Sequence, residues 1–289
     1  MLMNEPFKLR DIHEQDVQGG MALSFAEGWN QTPKDWHFLI NTPGHIGAVT
    51  TYNDKIIGTT LATTYGDCLA WIGMVLVDRD FRGLGISKAM LEYVIERVHA
   101  VQSMKLDATA AGHPVYQGLG FREECMIIRM VYNPNQVPDV FVEDYQVIHA
   151  LSTMDLSQII QIDHHTIGAN RSNLLEYLMS TYPSKAWTLK RNDSVEGFAL
   201  GRDGIRFHHI GPVNAINTAD AKALITVALQ ALKGMPVVID VLANKKELVT
   251  WLHETGFNDQ RPFTRMYKKN NLLPESEDRL FAISGPEFG

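Results

Sequence analysis

Residues 79–87 read Arg79-Asp80-Phe81-Arg82-Gly83-Leu84-Gly85-Ile86-Ser87, and their types and spacing suit the holding of a phosphate. Glycines let a backbone approach oxygen atoms closely. The first N–H groups of a helix have no internal partner and point at an anion. The stretch follows an apolar run, Trp71-Ile72-Gly73-Met74-Val75-Leu76-Val77, and opens a segment with apolar residues at Met90, Leu91, Val94, Ile95 and Val98. Strand, glycine-bearing turn and helix start are the parts such a site requires.

The elements that must position this loop occur twice. Asn53-Asp54-Lys55-Ile56-Ile57-Gly58 returns as Asn192-Asp193-Ser194-Val195-Glu196-Gly197, Ile72-Gly73-Met74-Val75 as Ile210-Gly211-Pro212-Val213, and Leu119-Gly120-Phe121 as Thr255-Gly256-Phe257. The offsets are 139, 138 and 136 residues. Two copies make no solenoid, so the pattern predicts two domains of one fold. Each copy opens with a strand (7–12; 145–151) and one or two helices (13–40; 155–180), then a meander turning at Asn53-Asp54 or Asn192-Asp193. A long amphipathic helix (84–101; 219–233), a short buried strand (104–108; 237–241) and a helix ending at Gly120 or Gly256 complete it. The polar, turn-rich stretch 132–138 is the expected linker, giving domains 1–136 and 137–289. The apolar cluster Leu280-Phe281-Ala282-Ile283 is expected to return to the second sheet.

These motifs resemble the GCN5-related N-acetyltransferases, the GNAT superfamily, present in tandem with a divergent second domain. The resemblance rests on Arg82-x-x-Gly85-x-Ser87 preceded by Val77, and on Tyr116-Gln117-Gly118-Leu119-Gly120-Phe121. Residues 26–36 and 167–175 also look like this tandem subgroup. Ser87 replaces the usual Gly or Ala, and Thr109 stands where many relatives have Asn. The resemblance implies an α/β fold with a mixed sheet, and acetyl-CoA as co-substrate without a metal. The amides of Gly83, Leu84, Gly85, Ile86, Ser87 and Lys88 would cradle the pyrophosphate, with Arg82 beginning the loop. Val75, Leu76 and Val77 would pair with the pantetheine like an added strand. Tyr116 would protonate the departing thiolate. No cysteine lies in either motif, so transfer is expected to be direct.

The group that deprotonates the amine is less evident. Asp107 on the fifth strand is the favoured base; Glu27, Asp35, His113 or a relaying water are alternatives. Glu27, Trp29 and Arg171 are expected to contact the acceptor, with Trp36 in its pocket or in the core. In the second copy Asp220, Ala221, Ala223 and Ile225 stand at the positions of Arg82, Gly83, Gly85 and Ser87, and Leu252 at that of Tyr116. A carboxylate would face the diphosphate and the acid is gone, so no second acyl-CoA site is expected. The pairs His164-His165 and His208-His209, read as strand residues, would point to opposite faces and make no metal chelate.

Composition bounds the rest. The 289 residues are 45% hydrophobic and 20% charged, with a formal net charge of −7. An acidic chain without a Lys/Arg run points away from nucleic acid. No stretch approaches the roughly 18–20 apolar residues of a membrane span. The start lacks the marks of a signal peptide, so a cytoplasmic location is expected. Cys68 and Cys125 match no metal or redox spacing and are expected to be buried thiols. The leading expectation is acetyl transfer to a primary amine of a small molecule, with a protein N-terminus or lysine as alternatives. A homodimer is compatible. A non-catalytic acyl-CoA-binding protein and a tandem-GNAT aminoacyl transferase are the competing readings.

Overall fold

Local chemistry fixes many of the element boundaries. Asn53 and Asp54 (φ 49° and 59°) and Asn192 and Asp193 (φ 51° and 62°) are left-handed pairs closing two-residue hairpins, a conformation Asn and Asp tolerate better than other residues with a Cβ. Pro33 opens a helix whose cap, Thr32, exchanges hydrogen bonds with Asp35. Ile86, Met90, Leu91 and Val94 put one buried stripe on the helix that follows Gly85.

The computed structural model describes residues 7–132, 134, 147–272 and 277–289. The first half contains β1 (Lys8–Asp11), α1 (Val17–Ala26), α2 (Pro33–Asn41), β2 (His45–Tyr52), β3 (Lys55–Tyr65), β4 (Leu69–Val77), α3 (Ile86–Arg97), β5 (Ser103–Ala108), α4 (His113–Gly118) and β6 (Arg122–Tyr132). The second half repeats it as β7 (Ile148–Ala150), α5 (Leu156–Ile167), α6 (Ser172–Thr181), β8 (Ala186–Arg191), β9 (Ser194–Arg202), β10 (His208–Asn214), α7 (Thr218–Ala231), β11 (Val237–Leu242), α8 (Lys246–Glu254) and β12 (Phe257–Lys269), then adds β13 (Leu280–Ala282). Apart from Tyr132 and Pro134, the expected linker lies outside the described residues, as does Tyr145.

The described strands form one 13-stranded mixed sheet in the order β1-β2-β3-β4-β5-β12-β6-β11-β13-β10-β9-β8-β7. The halves exchange their last strands. β12 pairs with β5, from Thr264 opposite Ala108 to Lys269 opposite Ser103. β6 pairs with β11, from Val237 opposite Tyr132 to Leu242 opposite Ile127. The sheet thus runs through both halves of the chain.

Two buried ion pairs hold the exchange together. Arg265 on β12 clamps Asp107 on β5 at 2.9 and 3.0 Å, and Arg129 on β6 clamps Asp240 on β11 at 2.7 Å twice. They are copies of one another, displaced by 265 − 129 = 136 and 240 − 107 = 133 residues. A further apolar cluster joins α1 and α2 to α5 and α6 through Trp36, Leu39, Leu174, Leu178 and Phe288. Each such side chain contributes about 1.5–3 kcal/mol on burial. Trp36 is in this core, fully buried, with Nε1 donating to Ser24.

Candidate active site

β4 and β5 run parallel but pair only from Leu69–Trp71 to Ser103–Lys105. Beyond Trp71 they diverge. A bulge at Met74, whose φ of 52° is unusual for a side chain of that size, marks the place. Among the described residues, the β5-facing edge of β4 past Trp71 therefore has no strand beside it. Gly73, Val75 and Val77 alternate with the buried Met74 and Leu76 along it.

The loop from β4 to α3 closes one end of this opening. Gly83 and Gly85 both have φ of 79°, where a side chain would be strained, and a Cβ on either would meet nothing within 4 Å. The first backbone bond of α3 is Ala89 N to Gly85 O at 3.0 Å. Among the described residues, no N–H from Gly83 to Lys88 donates to another backbone carbonyl. Open space and a row of free donors at a helix start make an anion cradle. The side chains of Leu84 and Lys88 turn outward, Lys88 toward Glu92. Arg82 donates to Val77 O at 3.1 Å and reaches Glu27 at 2.6 Å.

A cleft of about 420 Å³ runs from this cradle along Val75, Leu76 and Val77 to Tyr116. It meets a smaller inner chamber of about 50 Å³. Trp29, Val75, Thr109, Tyr116 and Arg261 line both spaces. Tyr116, on α4, therefore stands at the junction. It is 8% exposed, and burial pushes its phenol above the ordinary range, which keeps it protonated at neutral pH.

The structure separates the expected acceptor residues. Trp29 lines the junction. Glu27 lines the outer cleft and is held by Arg79 at 2.9 Å and by Arg82. Burial alone would raise its carboxyl, but the two arginines outweigh this and hold it below the usual range. It belongs to the anion loop and not to the acceptor end. Arg171 is fully buried, bound to Asp163 and to the carbonyl of Gly289. Its charge is committed to packing residues 284–289, so it offers no acceptor contact.

Asp107 lines the inner chamber, yet both its oxygens accept from Arg265. Burial pushes its carboxyl above the usual range against the pull of the Arg265 guanidinium, while the two-point geometry is that of a carboxylate on an arginine. A carboxylate so occupied is a poor proton acceptor, which corrects the expectation that it is the base. Asp35, in the first turn of α2, accepts from Thr32 N at 2.7 Å and pairs with Arg202 at 3.0 Å. His113 pairs with Glu123 at 2.8 Å. Cys68 and Cys125 are half-buried, not enclosed, and neither is in a disulfide.

The sequence matches two family models, the acetyltransferase (GNAT) family over residues 10–121 and the acetyltransferase (GNAT) domain over residues 159–282. The chain is a tandem of two GNAT domains. It is 25% identical to the uncharacterized N-acetyltransferase YitH of Bacillus subtilis over 283 residues, 98% of each chain. Its fold is shared by a putative acetyltransferase from Pyrococcus horikoshii, with a TM-score of 0.82 at 19% identity over 100% of this chain and 98% of that one. A tandem GNAT protein from the clavulanic acid biosynthesis pathway aligns with a TM-score of 0.66 at 8% identity, covering 93% of this chain and 100% of the other. Among the described residues, no helix is long and apolar enough to cross a membrane, and no three His, Cys, Asp or Glu side chains cluster as a metal site.

The second GNAT domain repeats the divergence and fills it. β10 and β11 pair only from His208–Ile210 to Val237–Ile239. Beyond that β13 lies between them, with Ala282 opposite both Val213 and Val241. A segment of the chain occupies the place that the first domain leaves open. Where the first domain has its cradle, Asp220 is capped by Asn217 and bound by Arg191 at 2.6 Å, and Ala221 and Ile225 are fully buried. Leu252, at the place of Tyr116, is core. His164 and His165 lie in the last turn of α5 and not in a strand; their rings meet edge to face at 6.1 Å. His209 is buried against Asp240 at 3.2 Å, and burial holds it below the usual imidazole range.

Three residues of the inner chamber escape any reading of the sequence. Arg261 arrives on the exchanged strand β12, Glu287 on the stretch after β13, and Gln31 from the loop after α1. That loop is itself clamped by the second GNAT domain, since the Asn30 side chain bonds Arg206 N and Phe207 N at 3.0 Å each and Phe207 O at 2.9 Å. Burial and the neighbouring Arg129 bring Arg261 down to about 10, which leaves it charged at neutral pH. No motif marks any of these residues. Asp107 and Asp240 repeat one another, as do Arg129 and Arg265, but the repeat does not say which arginine meets which aspartate, so it carries no signal for the exchange.

Proposed function

We propose that this tandem GNAT protein transfers an acetyl group from acetyl-CoA directly to a primary amine, with the chemistry in the first domain. The observation that carries this is the position of Tyr116 between an anion cradle and a second, polar chamber. The cradle suits a pyrophosphate because it combines free amides, a helix start and room above two glycines. The unpaired edge of β4 suits an extended chain bearing amides. When bound, the thioester supplies an activated acyl carbon.

The chain's own groups then have distinct tasks. A backbone N–H of β4 polarises the carbonyl oxygen. Tyr116 gives its proton to the leaving sulfur, which suits a phenol that burial keeps protonated. The amine enters from the inner chamber, on the far side of Tyr116 from the phosphate cradle, and attacks as the free base; as the C–N bond forms and the C–S bond breaks, the proton that the nitrogen sheds restores the Tyr116 phenol and CoA leaves as the thiol. The second domain supplies β12 and residues 284–289 to that chamber and offers no second acyl-CoA site.

Calorimetric titration with acetyl-CoA tests the reading. One site per chain is expected, abolished by Gly85→Glu, which forces a side chain and a negative charge into the cradle. Two sites would overturn the assignment of the second domain, and no binding would reduce the loop to a turn. Release of free CoA thiol in the presence of amines then separates an enzyme from a binding protein.

A further inference from the structure

Three buried polar atoms of the inner chamber make no hydrogen bond among the described residues: Nε of Arg261, Oε2 of Glu287 and Oε1 of Gln31. A buried polar atom that stays unsatisfied is unfavourable. Three in one chamber of about 50 Å³ call for a common partner. The other charged groups of the chamber are spoken for: Asp107 by Arg265 and Arg129 by Asp240. Arg261 pairs with no described carboxylate; its guanidinium only stacks 5.0 Å from the Phe263 ring centroid. Glu287 gives Oε1 to Arg202, which also holds Asp35. Two carboxylates thus share Arg202, while Arg261 has no carboxylate of its own among the described residues.

We infer that the acceptor is an amine that carries its own carboxylate, with the carboxylate on Arg261 and the ammonium on Glu287 and Gln31. This rests on the acyltransferase reading above and narrows its substrate class. The charges match: a guanidinium for an anion, and a carboxylate and an amide oxygen for N–H donors. The size matches too. At roughly 10–15 Å³ per water, the chamber takes a group of about three to five heavy atoms. The nitrogen, α-carbon and carboxylate of an amino acid, five heavy atoms, stand at the upper end of that range. Arg261 lines both spaces beside Tyr116, and a carboxylate held on it keeps the neighbouring amine within one α-carbon of that junction. Both charged recognition groups come from the second half of the chain, which gives the degenerate domain a part in choosing the acceptor.

The test is acetyl transfer, followed by CoA thiol release, to each common L-α-amino acid, its α-amide and its decarboxylated amine. At least one amino acid is expected to exceed its amide by more than about tenfold in kcat/KM, since a site built around a charged hydrogen bond rejects analogues that lack it. Arg261→Gln is expected to raise the acceptor KM at least about tenfold and erase the acid-over-amide preference. Calorimetric affinity for acetyl-CoA should be unchanged, and Arg261→Lys should restore part of the loss. Equal use of acid and amide, turnover of carboxylate-free amines alone, or no turnover of any amino acid overturns the inference and leaves the acyltransferase reading standing. The inference also falls if Arg261→Gln weakens acetyl-CoA instead of the acceptor, or if succinyl-CoA is preferred to acetyl-CoA, which would put the carboxylate on the acyl group. Failure of the wild-type protein to bind acetyl-CoA removes both.

Discussion

Replacing Asp107 by asparagine keeps its volume and removes its charge. The side chain is 0% exposed and that of Arg265 is 6% exposed, so the substitution strands a buried guanidinium. Breaking a buried pair in this way costs about 3–5 kcal/mol, a large share of a total stability that is typically about 5–15 kcal/mol. Urea unfolding at pH 7 should therefore show the midpoint falling sharply. Below the unfolding transition, kcat should change by less than about tenfold, well short of the 10²–10⁴ that loss of a general base costs. Replacing both partners, Asp107→Leu with Arg265→Leu, should recover most of the stability, and a double-mutant cycle should assign the loss to the pair. Asp240→Asn should behave in the same way through Arg129. An unchanged midpoint together with a kcat loss of about 10²–10⁴ would refute this reasoning and return Asp107 to a catalytic role.

Two more outcomes are expected. Tyr116→Phe should lower kcat by about 10²–10⁴ with acetyl-CoA affinity retained in calorimetry; because burial raises the phenol, the alkaline limb of the wild-type rate profile should not reflect Tyr116. Asp16, bonded by Arg10 and by His13 N, and Asp155, bonded by Lys190 and by Ser152 N, are both held below the usual carboxylate range against the opposing effect of burial. Their stabilisation is present above the unfolded value near ~3.9 and is lost as pH falls through the lowered folded values. Asp16→Asn or Asp155→Asn should cost about 0.5–2 kcal/mol in denaturation at pH 7, and the difference from the wild type should shrink as the pH is taken below that unfolded value.

The repeat, the turns and the glycine loop are legible in the sequence because each is a local matter. Asn-Asp pairs announce left-handed turns, and a glycine loop ahead of an amphipathic stretch announces a helix start. Strand partners are not local. β6 and β12 read as ordinary last strands of their own copies, and nothing in either names the neighbour it takes. Arg261 is invisible for that reason, since its place depends on β12 lying against β5. Glu287 needs the path of residues 284–289, which Trp71 Nε1 and Tyr65 OH fix by bonding Pro286 O and Phe288 O. Asp107 is on the expected strand beside the expected cleft, but its partner stands 158 residues away in sequence. His164 and His165 look like strand residues when taken as a pair, whereas α5 continues through them and ends at Gly168 with φ of 78°.

The exchange of last strands also sets a timetable for synthesis. β5 is complete once residue 108 has been made, but the strand that covers its edge ends at residue 269. The intervening 269 − 108 = 161 residues take about 8–30 s to translate at roughly 5–20 residues per second. Throughout that interval the nascent first domain holds an open sheet edge, and β6, its nearest neighbour in sequence, is available to close it. The finished molecule needs β6 on β11 instead. The ribosome thus delivers the parts in an order that favours the unexchanged arrangement first, and the two ion pairs that cross between the halves are complete only after Arg265 has been made.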